Sequence, residues 1–159
     1  MKSVFLQTGS NKGDRQRHLD YAIHQLKHIS VISESSSVYQ SEPWGYDSSF
    51  PFLNQCLKVK TDLSPSKLLD FIKVTERNTG RKNSNSYQDR ELDIDILFYE
   101  DLIINEERLI IPHPRLHLRA FTLKPLLEIA PDFIHPVFQK TIDELFKECP
   151  DKSNPSILM

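Results

Sequence analysis

Apolar residues in the first quarter of the chain predict a strand, a helix and a second strand in turn. Residues 4–6 form a short apolar run that ends at turn-forming residues, which is typical of a strand. After Asp14, a residue type that favours helix N-caps, apolar residues recur every three or four positions as far as Ile29 and predict a helix. The β-branched residues within 31–39 predict the second strand.

The middle of the chain repeats this succession. Side chains alternate in character from residue 52 to residue 60, which is the period of a strand. Ser64 and Pro65 have the chemistry of a helix N-cap and first helical position, and we expect the helix they open to end at Gly80. Residues 92–99 then form the strongest strand pattern in the chain.

Two polar segments separate these elements. Residues 41–49 contain Pro and Gly, which break both helix and strand patterns, so they are predicted to form a long loop. Residues 81–90 are polar and have no apolar period, so they are predicted to form a second, mobile loop.

The last third of the chain predicts a hairpin and two helices. Two short apolar runs within residues 102–111 predict the hairpin. A helix is expected around residues 119–129, where Pro125 is tolerated only near the first turn. A short helix is expected near residues 141–147, and the tail, residues 150–159, is expected to fray.

Two βαβ halves in succession are typical of an α+β ferredoxin-like sandwich. We therefore predict that fold, with a C-terminal helical and hairpin extension, as a single domain over residues 1–159. No apolar run approaches the ~20 residues that a membrane helix needs. Cys56 and Cys149 match no metal or disulfide pattern, so a reducing cytoplasm is the expected location.

The charge balance limits the kinds of molecule that the protein is expected to bind. Lys and Arg number 20 and Asp and Glu number 22, so the formal net charge is −2. This balance excludes a generally basic nucleic-acid-binding protein. We expect no nucleic-acid or membrane partner, and a monomer with a dimer as the alternative.

Asp93 and Asp95 are the sharpest candidates for chemistry. Alternate residues of a strand share a face, so both carboxylates point the same way. The core face is then formed by Leu92, Ile94, Ile96 and Phe98. Mg²⁺ prefers carboxylate oxygens and is typically held by one or two of them together with substrate phosphates. The alternative is a solvated strand start in which one Asp is paired with Arg90.

Several cationic residues follow or precede the Asp pair and would suit a polyphosphate. They are Arg81, Lys82, Arg90, His113 and Arg119. No glycine-rich phosphate-binding motif occurs, so side-chain cations and metal would have to hold a nucleotide. For His113, a buried structural role and a role as phosphate donor are equally open.

Aromatic residues are concentrated before and within the strand that begins at Phe52. Such residues are mostly core, but two of them can also stack on a flat heteroaromatic ligand. Phe52 and Phe121 are the candidates for stacking, and Asn54, two residues along the strand from Phe52, is placed to bond the ligand's edge.

The chain resembles the 6-hydroxymethyl-7,8-dihydropterin pyrophosphokinase family over about residues 3–136. The segments that carry the resemblance are residues 8–11, 52–54, 90–97, 111–115, 119–121 and 125–131. The ordered set RxxDxD, PH and RxF is highly specific. Loop 81–90 departs from the family pattern because it lacks a tryptophan, and Tyr87 is the candidate to replace it.

The resemblance implies the ferredoxin-like fold and the transfer of diphosphate from ATP to 6-hydroxymethyl-7,8-dihydropterin, with release of AMP, in folate biosynthesis. It implies that Asp93 and Asp95 hold two Mg²⁺ ions and that Arg81 and Arg90 are catalytic with them. The residues implied at ATP are Arg81, Arg90, Arg108, His113, Arg119, Lys73 and Glu76. Those implied at the pterin are Ser41, Pro43, Trp44, Phe52, Asn54 and Phe121.

The resemblance further implies catalysis by positioning and electrostatics, since no general base is evident. Loops 43–51 and 81–90 would act as lids that exclude water. Two alternatives remain open. One is a ligand-sensing or RNA-binding ferredoxin-like module, against which the Asp pair and the net charge argue. The other is a different Mg²⁺-dependent nucleotidyl- or phosphotransferase.

Overall fold

The computed structural model describes residues 1–42, 51–79 and 91–158. Within them, an antiparallel sheet with the strand order β5-β1-β4-β3-β8 forms the centre, and β2 also pairs with β4. The elements are β1 (Lys2–Ser10), α1 (Arg15–Leu26), β2 (Ser30–Ser35), β3 (Tyr39–Ser41), β4 (Phe52–Thr61), α2 (Pro65–Arg77), β5 (Asp93–Tyr99), β6 (Ile104–Glu106), β7 (Leu109–Ile111), a 3₁₀ turn (Leu116–Leu118), α3 (Ala120–Ile129), α4 (Ile142–Glu148) and β8 (Ser156–Ile157). The predicted ferredoxin-like sandwich is confirmed.

The sheet separates two apolar layers. Side chains of α1 and α2, such as Leu19 and Ile72, pack with Val4 and Leu6 on one face. Side chains of α3 and α4 pack with Phe5 on the other face. This arrangement follows from the period of β1, whose successive side chains point to opposite faces.

The helices α1 and α2 begin at the cap residues predicted from the sequence. The Asp14 carboxylate accepts a hydrogen bond of 3.1 Å from the Arg17 N–H, and the Ser64 hydroxyl accepts one of 3.3 Å from the Lys67 N–H. Both contacts satisfy an N–H group that has no partner inside the helix. The helix α2 ends at Arg77 with Asn78 as its C-cap, before the expected stop at Gly80, which lies outside the described residues.

The predicted strand over residues 31–39 is wrong in its extent, because it is divided into β2 and β3. Ser36 lies between them and bonds to β4 at Cys56 through both its N–H and its hydroxyl. Pro125 also differs from expectation, since it lies inside α3 at the sixth residue rather than in the first turn.

The strand β5 contains an irregularity that the alternation did not predict. Its pairing with β1 shifts register between Phe5 and Leu6, which pair with Phe98 and Ile96. Leu97 and Phe98 therefore both pack in the α3 and α4 layer, whereas Phe98 was expected on the opposite face. A bulge of this kind leaves one residue unpaired and re-aims the side chains that follow it.

The C-terminal tail differs from the frayed segment expected for residues 150–159. Ser156 and Ile157 form β8, which pairs with β3. The Asp151 carboxylate accepts a hydrogen bond of 3.0 Å from the Ala120 N–H at the start of α3. Across the described ranges, no helix is long and apolar enough to cross a bilayer.

Candidate active site

Asp93 and Asp95 lie on the face of the sheet that carries α3, and both are half-buried. Ile94 between them is 4% exposed and packs in the opposite layer with α1 and α2. The predicted division of this strand between carboxylates on one face and core on the other is therefore confirmed around Ile94. In the described ranges, no group of three or more His, Cys, Asp or Glu side chains is placed to hold a metal ion.

Gly9 lies on β1, between the Asp pair of β5 and Asn54 of β4. In the register of the sheet, Gly9 of β1 is opposite Asp93 on one side and opposite Asn54 of β4 on the other. A Cβ atom at Gly9 would lie 2.8 Å from Oδ1 of Asn54, which is closer than real Cβ contacts. The absence of a side chain at Gly9 thus makes room for the amide of Asn54, which projects from the same face of the sheet as the Asp93 carboxylate.

The predicted pterin residues of β3 and β4 lie together. Asn54 is 4% exposed, and its Nδ2 donates a hydrogen bond of 3.0 Å to the hydroxyl of Ser41. Ser41 is the ladder partner of Phe52. Because Phe52 and Asn54 are two residues apart on one strand, they share the face that carries Asp93.

Arg119 and Phe121 come from the start of α3. The Arg119 guanidinium carbon lies 5.4 Å from the centre of the Phe121 ring, within range of a cation–π contact. Burial lowers the pKa of Arg119, while the negative charges of Asp95 and Asp93 act in the opposite direction. A guanidinium remains charged at neutral pH, so the site contains a half-buried cation close to the Asp pair.

His113 has its proton position set by the backbone. Its Nδ1 accepts a hydrogen bond of 3.2 Å from the Arg115 N–H, so the proton of the neutral ring lies on Nε2. Burial lowers the pKa of His113 to about 4, with a further contribution from the charge of Arg119 and an opposing one from Asp93. At neutral pH the ring is therefore a hydrogen-bond donor without a net charge.

The nucleotide residues expected on α2 have structural contacts. The Glu76 side chain is 2% exposed, and its Oε2 accepts a hydrogen bond of 2.8 Å from the Ile94 N–H. Its Oε1 lies 3.7 Å from Nζ of Lys73, which is half exposed. Arg108, in the turn between β6 and β7, forms an exposed ion pair with Asp70. Glu76 and Lys73 are thus beside the Asp strand, and Arg108 contacts α2 at Asp70, about one turn closer to the N-terminus of that helix.

Six predicted site residues lie outside the described residues, as do most of the predicted loop over residues 41–49 and all of the predicted loop over residues 81–90. The six are Pro43, Trp44, Arg81, Lys82, Tyr87 and Arg90. Conversely, Gln7 is not among the predicted residues, although its side chain contacts Phe121 and Thr122 at the start of α3. A polar residue within the otherwise apolar run of β1 was the indication that could have identified it.

Comparison with known proteins gives one consistent family. A family model described as HPPK, 7,8-dihydro-6-hydroxymethylpterin-pyrophosphokinase, matches residues 5–131. The chain is 44% identical to the 2-amino-4-hydroxy-6-hydroxymethyldihydropteridine pyrophosphokinase of Aquifex aeolicus, covering 93% of this chain and 92% of the relative. It is 39% identical to the protein of the same name from Bacillus subtilis, covering 79% and 77%.

The fold is also found in solved structures. The crystal structure of Plasmodium falciparum HPPK-DHPS, wild type, with SDX-DHP superimposes with a TM-score of 0.75. The sequence identity is 18%, so this likeness concerns the fold alone. The match covers 93% of this chain but 43% of the Plasmodium chain, so this chain corresponds to less than half of that protein.

Proposed function

The chain belongs to the 7,8-dihydro-6-hydroxymethylpterin-pyrophosphokinase family, and we propose that the site on the α3 face of its sheet binds both substrates of the family reaction. The chain is accordingly a pyrophosphokinase of folate biosynthesis that uses ATP as co-substrate. The observation that carries the proposal is the row Asp93, Gly9 and Asn54 across three strands. It places a carboxylate and an amide on one face of the sheet, on the two strands that flank β1.

The ATP phosphates are proposed to lie at the Asp93 end of this row. Arg119 supplies a charge there, and His113 supplies the Nε2–H donor described above. Charge-assisted hydrogen bonds from a guanidinium are well suited to phosphate oxygens. A neutral imidazole adds a donor without disturbing the charge balance of the site.

Asp93 and Asp95 are proposed to hold the Mg²⁺ ions that accompany ATP. Their half-buried carboxylates share one face, which fits the hard oxygen ligands that Mg²⁺ prefers. When bound, Mg²⁺ would neutralise charge on the phosphate oxygens during transfer. Two carboxylates do not complete an octahedral shell, which is consistent with phosphate oxygens and water as the other ligands.

The pterin is proposed to lie at the Asn54 end. Phe52 and Phe121 would stack on its two faces, and the Asn54 amide would bond its polar edge. The bond from Asn54 Nδ2 to Ser41 orients that amide and connects it to the segment that leads to Pro43 and Trp44. We propose that these two residues complete the pterin pocket.

The proposed reaction is an in-line displacement at the β-phosphorus of ATP. A bond forms between the pterin hydroxymethyl oxygen and this phosphorus, and the bond from the phosphorus to the α,β-bridging oxygen breaks. AMP leaves with that oxygen, and the hydroxyl proton is released. Arg81 and Arg90 are proposed to stabilise the charge of the transferring group, and the two segments predicted from the sequence as loops, 43–51 and 81–90, are proposed to exclude water.

Product analysis tests the reaction class. With ATP, Mg²⁺ and 6-hydroxymethyl-7,8-dihydropterin, mass spectrometry is expected to find AMP and a pterin diphosphate in equal amounts. Appearance of ADP and a pterin monophosphate would contradict attack at the β-phosphorus. Omitting the pterin is the control, because AMP formed without it would report ATP hydrolysis.

A second measurement tests the stacking residues. Phe121→Ala is expected to raise the KM for the pterin on the order of tenfold and to change the KM for ATP much less, since a stacked pair is worth ~1 kcal/mol beyond its buried area. Phe138→Ala is the control, because Phe138 is 41% exposed and lies beside His135, outside the site. An unchanged pterin KM in folded Phe121→Ala protein would exclude the stacking role.

We also propose that the chain acts as a cytoplasmic monomer with no nucleic-acid partner. Sedimentation analysis at assay concentrations tests this, and a dimer would be the contradicting result.

A further inference from the structure

Gln7 joins β1 to the start of α3. Its side chain is 4% exposed. Its Nε2 donates a hydrogen bond of 2.7 Å to the backbone oxygen of Phe121. Its Oε1 accepts a hydrogen bond of 2.8 Å from the hydroxyl of Thr122. The amide therefore contacts two consecutive residues of the helix, one with each of its polar atoms.

The contact with Phe121 compensates for a proline. Within α3, the oxygen of Phe121 would ordinarily accept from the N–H of residue 125, four positions later. Residue 125 is Pro, which has no N–H to donate. The Gln7 amide provides a donor to this oxygen from another part of the chain. The position of the Phe121 backbone is thus coupled to β1 as well as to its own helix.

Gln7 is also paired in the sheet with a residue at the proposed phosphate end of the site. In the sheet it is the register partner of Asp95 on β5. One residue of β1 therefore neighbours the strand of the Asp pair through its ladder position and contacts the residue that carries the stacking ring through its side chain. Stacking geometry is sensitive to shifts of a fraction of an ångström in the ring position, so such a connection bears on substrate alignment.

We propose that Gln7 is a positioning residue, which holds Phe121 at the distance from Asp95 that aligns the pterin with ATP. This inference rests on the proposed function, because it takes Phe121 as a pterin contact. Gln7 acts through the backbone of Phe121 and the hydroxyl of Thr122, with no contact to either substrate required. Gln7 is also distinct from the residues to which the resemblance assigns a role.

The main test compares Gln7→Met with the wild-type protein. Met has a side chain of similar length and no hydrogen-bonding amide, and it adds no charge beside Asp95, as Glu would. Gln7→Met is expected to raise the pterin KM and the pterin Kd about tenfold, with a smaller change in the KM for ATP. A purely structural role would lower Tm and leave both constants unchanged in the folded protein, which would overturn the proposal.

A double-mutant cycle asks whether Gln7 acts through Phe121. Gln7→Met is measured alone and in the Phe121→Ala background. If Gln7 positions the ring, the second substitution is expected to change the pterin KM by less than about twofold once the ring is absent. Independent, additive effects would overturn the inference. If the wild-type enzyme is active and Phe121→Ala leaves its pterin KM unchanged, that result would instead contradict the stacking role in the proposed function.

Substitutions at Thr122 keep the test available if Gln7→Met does not fold. Thr122→Val preserves the shape and removes the hydroxyl, so a rise of about threefold in the pterin KM is expected. Thr122→Ser retains the hydroxyl and is expected to stay within twofold of wild type. Thr61→Val is the matched control, because it removes a buried hydroxyl that donates to the Ile29 oxygen at the far end of the sheet. Equal effects of Thr122→Val and Thr61→Val on the pterin KM would overturn the proposal.

Discussion

Glu76 accepts a 2.8 Å hydrogen bond from the backbone N–H of Ile94, the residue between Asp93 and Asp95. The strand β5 lies at one end of the strand order, so its outer N–H groups require partners other than a neighbouring strand. A helix side chain provides one of them here. Glu76 therefore contacts the backbone that holds both carboxylates in place.

The first prediction concerns this contact. Glu76→Ala removes the acceptor of a buried N–H and is expected to lower the free energy of unfolding by about 1–3 kcal/mol. Glu76→Gln retains an oxygen and is expected to recover most of the loss. Urea denaturation of the three proteins is the measurement. Unchanged stability together with a raised KM for ATP would instead favour the direct nucleotide contact predicted from the sequence.

The second prediction concerns the Asp pair. Asp95→Ala removes a carboxylate that is repelled by Asp93 and attracted by Arg119, so the two effects offset and Tm without metal is expected to change little. Turnover is expected to fall by on the order of a hundredfold or more, because charge neutralisation at the phosphates is lost. Asp132→Ala, at an exposed position, is the control for both measurements.

A stable but inactive Asp95→Ala protein agrees with the metal role. A destabilised protein whose activity follows its folded fraction would indicate a structural ion pair instead. Titration with Mg²⁺ at fixed ATP adds a separate readout, since weaker dependence on the metal is expected only if Asp95 is a ligand.

The third prediction concerns the C-terminal tail. The carboxylate of Asp151 bonds the N–H of Ala120, which lies between Arg119 and Phe121. Asp151→Ala is expected to raise the KM for both substrates by a few fold and to lower Tm, because a charge-assisted bond at the start of α3 is lost. Steady-state kinetics and thermal unfolding check this. Kinetic constants equal to wild type would show that α3 is held without the tail.

The fourth prediction concerns stability below neutral pH. Nδ1 of His135 accepts hydrogen bonds of 3.1 Å from the N–H groups of Val137 and Phe138, and the side chain is stacked on Phe138. Burial lowers the pKa of His135 to about 4, with a further contribution from the charge of His117. The unfolded chain therefore binds the proton more readily than the folded protein does.

The contribution of neutral His135 to the free energy of unfolding is accordingly fully present above pH ~6.5, the usual pKa of the residue. This contribution is lost as the pH falls toward about 4. His135→Asn keeps an acceptor for the two N–H groups and removes the titration. Its Tm is expected to fall less steeply than that of wild type between those pH values. If Tm depends on pH in the same way for the two proteins, His135 does not contribute to the loss of stability at low pH.

Local chemistry predicted most of the elements. The helix starts at Asp14 and Ser64 follow from cap residues that bond within three positions of themselves. The faces of Asp93 and Ile94 follow from the two-residue period of a strand. The bulge at Leu97 and the division of residues 31–39 depend on pairing with β1 and β4, which no local pattern encodes.

The amino-acid sequence by itself determined the fold class and the shared face of the paired carboxylates, because these depend on residue type and short spacing, whereas most of the other candidate residues were predicted from the resemblance to the family. Only the tertiary structure decided that Gly9 separates Asp93 from Asn54, that Gln7 bonds the carbonyl beside Pro125, and that Asp151 contacts the start of α3. The hydrogen bond of Gln7 joins residues 114 positions apart, and that of Asp151 joins residues 31 positions apart. Their geometry is set by the packing of whole elements, and packing distances are not contained in the spacing of residues along a chain.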